Sequence, residues 1–379
     1  MKRSQPEIRV TRNAWGDRVE AWAEGKAVSR IMISRQVIRV GVARLRMAGV
    51  GGVWTDKAWR GRGLARRCMD AALPLMRENG SHISMLFGIR DFYHRWGYAS
   101  VMAEPRAVIR TDIARHAARR LPGWTLALYR PARDLRRALA LDARMHGGRP
   151  GTQDRTGAPA WQLFRLGSDW GIRARMMVAR DPGGVMQGYI VLDRAKDRVG
   201  VVELAASSRR VLPLLIRVAV DRSRARRADE ITWFLPADHP AVEYLRHWNV
   251  AVTTDYYEGA HGMGRIVDLA GTLRAVEPEL TRRWRASGFV RSRLTLTITT
   301  ELGSFTLRAA GGRVRMTDSR SVRNRVKLPQ WLLLQLLLGY RSVEDATTVP
   351  GARLPAATLA PLCALFPSGF PYLWKTGRF

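Results

Sequence analysis

The stretch Met47-Ala48-Gly49-Val50-Gly51-Gly52-Val53-Trp54-Thr55, with the loop Arg60-Gly61-Arg62-Gly63-Leu64-Ala65 that follows it, decides how this chain reads. The first segment is small and largely apolar, as a strand buried on both faces must be. The second fits the form Arg/Gln-x-x-Gly-x-Gly/Ala at every position. After it, Leu64, Cys68, Ala72 and Met76 recur every four residues, with Ala65, Met69 and Leu73 beside them. That spacing predicts a helix with one apolar face laid on a sheet, and Pro74 should kink its last turn. A glycine loop between a buried strand and a helix brings backbone N–H groups close to a ligand. The helix adds the positive end of its dipole. The product is a pyrophosphate cradle, to which Arg62, Arg66 and Arg67 add charge.

Upstream of the central strand, Asp17–Ala23 and Ala27–Ser34 read as short strands around the Glu24-Gly25 turn. Gln36–Arg46 alternates in strand fashion through Val37, Arg39, Val40, Val42 and Leu45. Downstream, His82–Phe87 is a further buried strand, and Asp91–Trp96 a short helix that Gly97 ends. A second unit starts near Leu121-Pro122-Gly123. It has a helix over Ala132–Arg144, a Gly- and Pro-rich loop over Gly147–Pro159, and strands at Ala174–Ala179, Gly188–Asp193 and Gly200–Ala205. The helix Val211–Ala225, the strand Glu230–Leu235, the helix Ala241–Trp248 and the extended Val250–Asp255 complete it.

Tyr244-Leu245-Arg246-His247-Trp248 echoes Tyr93-His94-Arg95-Trp96, and the same offset of about 151 residues lays Val50–Trp54 on Val201–Ala205. This reads as a degenerate internal duplication. Where the copy should have a cradle it has Ser207-Ser208-Arg209-Arg210-Val211, without glycine, so the copy should bind no phosphate and act as scaffold. A third unit begins near Ile266. It holds a hairpin, Leu294–Thr300 with Ser304–Ala309, a helix over Gln330–Leu338, and a Pro-rich tail from Thr348 to Phe379.

Length and composition agree with this division. A chain of 379 residues with 46% apolar content suffices for two or three cored domains. No run approaches the ~20 apolar residues that cross a bilayer, and the start Met-Lys-Arg-Ser-Gln-Pro leads into no apolar segment, so neither a membrane span nor a signal peptide is expected. Cys68 and Cys363 are too few for a disulfide framework, no metal site is expected, and a reducing cytoplasm fits. The net charge is +32, from 58 arginines and six lysines against 32 acids. One reading is a polyanion partner. The other is a GC-rich coding bias that trades Lys for Arg, and the even spread of arginines favours it, so nucleic acid is not expected as the main partner.

The strand, the Arg-Gly-Arg-Gly-Leu-Ala loop, the helix, the next strand and then Phe92-Tyr93-His94-Arg95-Trp96-Gly97-Tyr98 resemble the GNAT superfamily of acetyltransferases. The three-part layout is similar, more narrowly, to the Eis (enhanced intracellular survival) family. Leu336-Leu337-Leu338-Gly339-Tyr340-Arg341-Ser342 and the ending Pro371-Tyr372-Leu373-Trp374…Arg378-Phe379 carry the resemblance to that family's last domain. The resemblance implies an α/β (α+β) chain. It has a catalytic GNAT domain over residues 1–120, a degenerate GNAT-like domain over 121–265 and a sterol-carrier-protein-like domain over 266–379. It implies acetyl-CoA as co-substrate, a primary amine on a small molecule or peptide as acceptor, and a homo-oligomer, a hexamer.

The site follows in the same way. Arg60 stands at the cradle's entrance, and Gly61, Arg62, Gly63, Leu64, Ala65 and Arg66 hold the phosphates. By resemblance, Val53, Trp54 and Thr55 line the strand edge where a backbone N–H polarises the thioester, and Tyr93 and His94 touch the cofactor. Tyr98 takes the place of the family's general acid, a phenol of reference pKa ~10 able to protonate a thiolate of ~8.5. The resemblance makes the carboxylate of Phe379 the base for the amine.

The chain departs from the family before its central strands. A first strand and two helices are expected there, and only Glu7–Ala14 is available. This leaves the acceptor open, with Glu203, Asp255 and Glu258 as unassigned candidate acids for a cationic one. A nucleic-acid-binding protein on a GNAT scaffold and a lipid carrier are the alternatives from other classes.

Overall fold

The computed structural model describes residues 5–13, 16–158, 164, 174–193, 198–318 and 324–379. Ala14 and Pro159, which end two of the expected segments, and the first four residues lie outside them. The chain is mixed α/β and divides into two compact units. Unit 1 comprises Met1–Met102, Tyr257–Pro371 and Phe379; unit 2 comprises Ala103–Tyr256 and Tyr372–Arg378. The boundaries expected after residues 120 and 265 describe a serial chain. The compact units are cut near residues 102 and 256, where the chain passes from one sheet to the other.

In unit 1, β1 (Glu7–Asn13), β2 (Gly16–Ala23), β3 (Lys26–Val40) and β4 (Ala43–Thr55) form an antiparallel run. β5 (Ile83–Gly88) then pairs with β4 in parallel. β14 (His261–Ile266) enters between β5 and the short β6 (Ala99–Ser100). The strand expected over Gln36–Arg46 is therefore two. Gly41, at φ +57°, and Val42 make a two-residue turn inside the alternating run. Val42 is the apolar residue that hid the turn. Its N–H donates to the buried carboxylate of Glu279 at 3.1 Å, a partner far along the chain.

Helix α1 (Leu64–Glu78) buries Leu64, Cys68, Met69, Ala72, Leu75 and Met76 against Ile31, Ile33, Ala48 and Val50, the face that its spacing predicts. Each such Leu or Met contributes about 1.5–3 kcal/mol by burial. Helix α6 (Leu269–Ala286), unread in the sequence, packs on β4 and on β17 (Arg313–Thr317). β17 belongs to a four-stranded sheet of order β17-β16-β15-β18, with β15 (Leu294–Thr300), β16 (Gly303–Ala310) and β18 (Arg325–Lys327). The expected hairpin is its β15–β16 pair. Helix α7 (Gln330–Leu338) packs on β14. Among the described residues no helix is long and apolar enough to cross a membrane.

Unit 2 repeats the strand order and pairing directions of the first sheet, but its sixth strand comes first in the chain where that of unit 1 comes last. Its order is β13-β7-β12-β11-β10-β9-β8. Here β8 (Thr125–Leu128), β9 (Ala174–Arg180), β10 (Met186–Asp193) and β11 (Val199–Ala206) are antiparallel neighbours. β12 (Glu230–Trp233) is parallel to β11, and β7 (Glu104–Arg110), unread in the sequence, enters between β12 and β13 (Ala251–Asp255). Helix α3 (Pro131–His146) packs on β10 and β11, and α4 (Leu212–Arg226) follows β11. The expected helix Ala241–Trp248 is shorter, as α5 (Pro240–Leu245).

His239 starts α5, where its Nδ1 accepts the N–H of Ala241 at 3.1 Å. It is fully buried, and loss of solvent pushes its pKa well below the usual range, helped by the nearby His146 and Arg149. The folded chain thus resists a proton that the unfolded chain accepts near pH ~6.5. Stability should fall as the pH drops below that value, by up to about 1.4 kcal/mol per pH unit from this group. The variant His239→Asn keeps an acceptor at the helix start without the titration. Thermal melts from pH 7 to about pH 5 should show a shallower decline for it than for the parent; equal slopes would exclude His239 as the source.

Candidate active site

The site of unit 1 is built on the separation of two parallel strands. β4 and β5 pair from Met47↔Ile83 to Val50↔Leu86, and their pairing ends there. β4 runs on beside β3 to Thr55, while β5 is held on its other edge by β14. The edge of β4 from Gly51 to Thr55, which includes Val53, Trp54 and Thr55, is therefore no longer paired with β5. Trp54 is 42% exposed, and Thr55 shares a 2.8 Å hydrogen bond with Ser29.

The glycine loop opens α1 as expected. Gly61 and Gly63 hold φ of +74° and +70°, and a Cβ on either would meet nothing within 4 Å. A residue with a side chain would bear about 1–2 kcal/mol of left-handed strain there. The glycines thus serve the backbone path and leave the approach to the helix N-terminus open. Arg60 and Arg62 are exposed and bind carbonyls of their own loop, Thr55 O at 3.3 Å and Ala58 O at 3.2 Å. Leu64 is buried and Ala65 half-buried, while Arg66 reaches a cavity of about 520 Å³ that it shares with Asp70, His94, Arg95 and Trp96. Two residues far apart in sequence, Arg66 and His94, thus line one cavity. Tyr93 is buried one residue before, on the short 3-10 turn Tyr93–Trp96.

Tyr98 lies in the core below the point where the strands part. Its hydroxyl donates to Ser84 Oγ at 2.7 Å, and Ser84 donates to the carbonyl of Ala48 at 2.8 Å. Ser84 and Ala48 face each other in the last paired stretch of β4 and β5. Burial raises the phenol's pKa, an effect that the Ser84 hydrogen bond and the Arg265 charge oppose, so the oxygen keeps its proton at neutral pH. The peptide before it is fixed from two sides. Arg265 donates to Trp96 O at 2.5 Å, and Gln330 donates to Gly97 O at 2.5 Å while accepting from the N–H of Ile266 at 2.7 Å. Ser84, Arg265 and Gln330 were not legible as site residues. Gln330 had one signal, a polar residue at the head of an apolar helix.

Phe379 belongs to unit 1 and is 6% exposed. Its ring lies over Gly49 and 6.0 Å from the ring of Phe87. Its main-chain carboxyl carbon lies over Gly51, where a Cβ would stand 2.6 Å from it. The glycines that made Met47–Thr55 look merely small thus provide the floor on which the last residue rests.

The second fork, in unit 2, is filled. β11 and β12 pair to Val201↔Trp233, and two residues past Val201 stands Glu203, fully buried. It receives both Arg155 nitrogens at 2.6 and 2.9 Å and the hydroxyl of Tyr189 at 2.7 Å, and it also bonds Thr376. Glu203 is therefore removed from the candidate acids for an acceptor pocket, because its charge is spent inside the core. Asp255 lies 3.6 Å from Arg106, and the exposed Glu258 3.6 Å from Arg90. The glycine-free segment before α4 is a 3-10 turn, Arg209–Val211, with Val211 buried.

The fold is one that known proteins share. Residues 7–101 match the acetyltransferase (GNAT) domain family. The chain carries an acetyltransferase domain. No curated protein matches the chain. Among solved structures, a probable N-acyltransferase from Enterococcus faecalis V583 aligns over 97% of this chain and 90% of its own, with 19% identity and a TM-score of 0.75. A GCN5-related N-acetyltransferase from Kribbella flavida aligns over 96% and 87%, with 20% identity and a TM-score of 0.71. Eis1 from Mycobacterium abscessus aligns over 96% and 90%, with 16% identity and a TM-score of 0.63. At these identities the likeness is one of fold, and it extends over nearly the whole chain.

The contact at Gly51 can be tested without an assay of function. In Gly51→Ala the added methyl group meets backbone, which cannot rotate away, so the last residue must move. Carboxypeptidase should release Phe379 at least about ten-fold faster than from the parent, as for a tail freed to fray. Equal rates would show that Phe379 does not rest on Gly51.

Proposed function

We propose that the chain transfers an acetyl group from acetyl-CoA to a primary amine, with the reaction in the GNAT domain. The observation that carries this reading is the separation of β4 from β5 after Val50↔Leu86, beside a glycine loop that leaves a helix N-terminus open. Gly61 to Arg66 would hold the phosphates, with Arg60 at the entrance and Tyr93 and His94 alongside. The N–H groups of Val53 to Thr55 would face the thioester oxygen. When bound, the co-substrate supplies an activated acyl group. The amine nitrogen bonds to the thioester carbon, and the C–S bond breaks with its electron pair going to sulfur. Tyr98 gives its phenolic proton to that sulfur. The carboxylate of Phe379 takes the proton that the amine loses, directly or through water.

A terminal carboxylate of ordinary pKa ~3.5 is a weak base. Its placement over Gly51 supports a role that its pKa alone would not suggest, since a fixed charge also orients an ammonium. Unit 2 supports the reading of a second, non-binding GNAT-like copy, with its fork closed by Glu203. The four-stranded sheet with α6 across it supports a sterol-carrier-protein-like C-terminal domain, for which no lipid role is proposed. The three-domain division, a homo-oligomer such as a hexamer and a cytoplasmic setting complete the proposal.

The decisive experiment follows free CoA release from acetyl-CoA with polyamines, lysine derivatives, aminoglycosides and peptides as acceptors. The parent is compared with a variant carrying a short extension after Phe379 and with Phe379→Leu. The extension converts the carboxylate to an amide and should abolish turnover, while Phe379→Leu keeps the carboxylate and should retain a measurable share. An extended chain as active as the parent would remove the carboxylate from the mechanism. Tyr98→Phe should bind acetyl-CoA normally by calorimetry yet lose about 10²–10⁴-fold in kcat; a kcat within about two-fold of the parent would reduce Tyr98 to packing.

A further inference from the structure

A general acid at Tyr98 has to part with its proton inside a core. The side chain is 2% exposed, and its hydroxyl donates to Ser84. When the O–H bond breaks and the proton joins the sulfur, the electron pair stays on the phenol oxygen. Water returns a proton to that oxygen once the product has left. In between, a negative charge sits in the interior of unit 1. A buried charge without a counter-charge is costly. Ser84 carries no charge, and its own proton is engaged by the carbonyl of Ala48 at 2.8 Å. Tyr93, whose ring stands edge-on at 6.3 Å, is a second buried phenol and opposes the charge.

The counter-charge stands on β14. The guanidinium carbon of Arg265 lies 6.0 Å from the centre of the Tyr98 ring. The side chain is half-buried and donates to the carbonyls of Ile266 at 3.2 Å and Trp96 at 2.5 Å. No carboxylate pairs with it among the described residues. The charge of Glu301, just after β15, acts on it from farther away, and that of Arg77, on α1, repels it. Burial lowers its pKa, yet a guanidinium stays charged in a protein. A cation drawn out of water with no acid beside it is an arrangement that stability alone does not favour. A carbonyl is satisfied by any neutral donor, so the bond to Trp96 O does not account for the charge. A phenol that becomes a phenolate does. We propose that Arg265 is a positioning residue for the acid step: held on Trp96 O, two residues before Tyr98, its charge faces the phenolate that proton transfer leaves behind and stabilises it. The inference rests on the reading of Tyr98 as the general acid. Arg265 touches no atom of the co-substrate and works through Tyr98. Arg265, Tyr98, Ser84 and Trp96 all belong to unit 1.

The test uses the full chain with Arg265→Gln, which keeps a donor for Trp96 O and loses the charge, and Arg265→Lys, which keeps the charge. With fluorotyrosine in place of tyrosine, the fluorine resonance of residue 98, identified by its loss in Tyr98→Phe, reports the ionisation of that phenol. Removing a nearby cation disfavours the phenolate. The resonance in Arg265→Gln should therefore titrate at least about 1 pH unit higher than in the parent, and in Arg265→Lys close to the parent. With unchanged affinity for acetyl-CoA, Arg265→Gln should lose about 3–10-fold in kcat, and Arg265→Lys should recover most of it. Added to Tyr98→Phe, Arg265→Gln should cost nothing further, since no phenolate forms there. A loss as large in that background as in the parent would reduce Arg265 to packing. If Arg265→Gln does not fold, Arg265→Lys decides: a titration raised by about 1 pH unit despite the retained charge would overturn the role. Parental kcat and titration in Arg265→Gln, beside an impaired Tyr98→Phe, would overturn it too and leave the acid reading intact. A Tyr98→Phe variant as active as the parent would overturn both.

Discussion

Everything in this molecule turns on two parallel strands that stop sharing hydrogen bonds. β4 and β5 are paired to Val50 and Leu86 and then part. A strand that leaves its neighbour exposes N–H and C=O groups that must find other partners or serve a ligand. The residues around the fork accept this condition in different ways. Gly49 and Gly51 give the strand a bare face on which Phe379 rests. Ser84, on the last paired stretch, ties the phenol of Tyr98 to the carbonyl of Ala48. Gly61 and Gly63 turn the following loop so that α1 begins beside the fork with its end uncovered.

The same fork occurs in unit 2 with the opposite solution. Where unit 1 has Gly52, two residues past the last pair, unit 2 has Glu203, and the opening is filled by Arg155, Tyr189 and Thr376. One backbone arrangement thus carries glycines in one place and a buried, fully bonded carboxylate in the other. The difference is set by side-chain volume and charge at a few positions, while the strand order is unchanged. Fold and function separate here within a single chain.

The exchange of strands also governs how the chain must fold. β14 completes the sheet of unit 1 after the chain has traversed unit 2, and β7 enters the sheet of unit 2 directly after β6 ends the first stretch of unit 1. Neither unit is finished until residues well beyond its first strands have arrived. Closing such long loops before their contacts form slows folding.

The sequence by itself determined the local chemistry. The spacing of Leu64, Cys68, Ala72 and Met76 set the buried face of α1, and Arg60 to Ala65 set the loop before it, because both depend on neighbours a few residues away. The echo of Val50–Trp54 in Val201–Ala205 was also legible, and the two segments take equivalent places at their forks. The turn at Gly41-Val42 was not legible, since its partner is Glu279. Nor were the roles of Ser84, Arg265 and Gln330 around Tyr98, or the burial of Glu203 beneath Thr376. Only the tertiary structure decided these, because a hydrogen bond or an ion pair between residues a hundred positions apart leaves no period in the sequence. The tail shows both sides. Its aromatic ending was visible as residues, but what those residues rest on was fixed by glycines whose missing side chains mark no partner until the chain has folded.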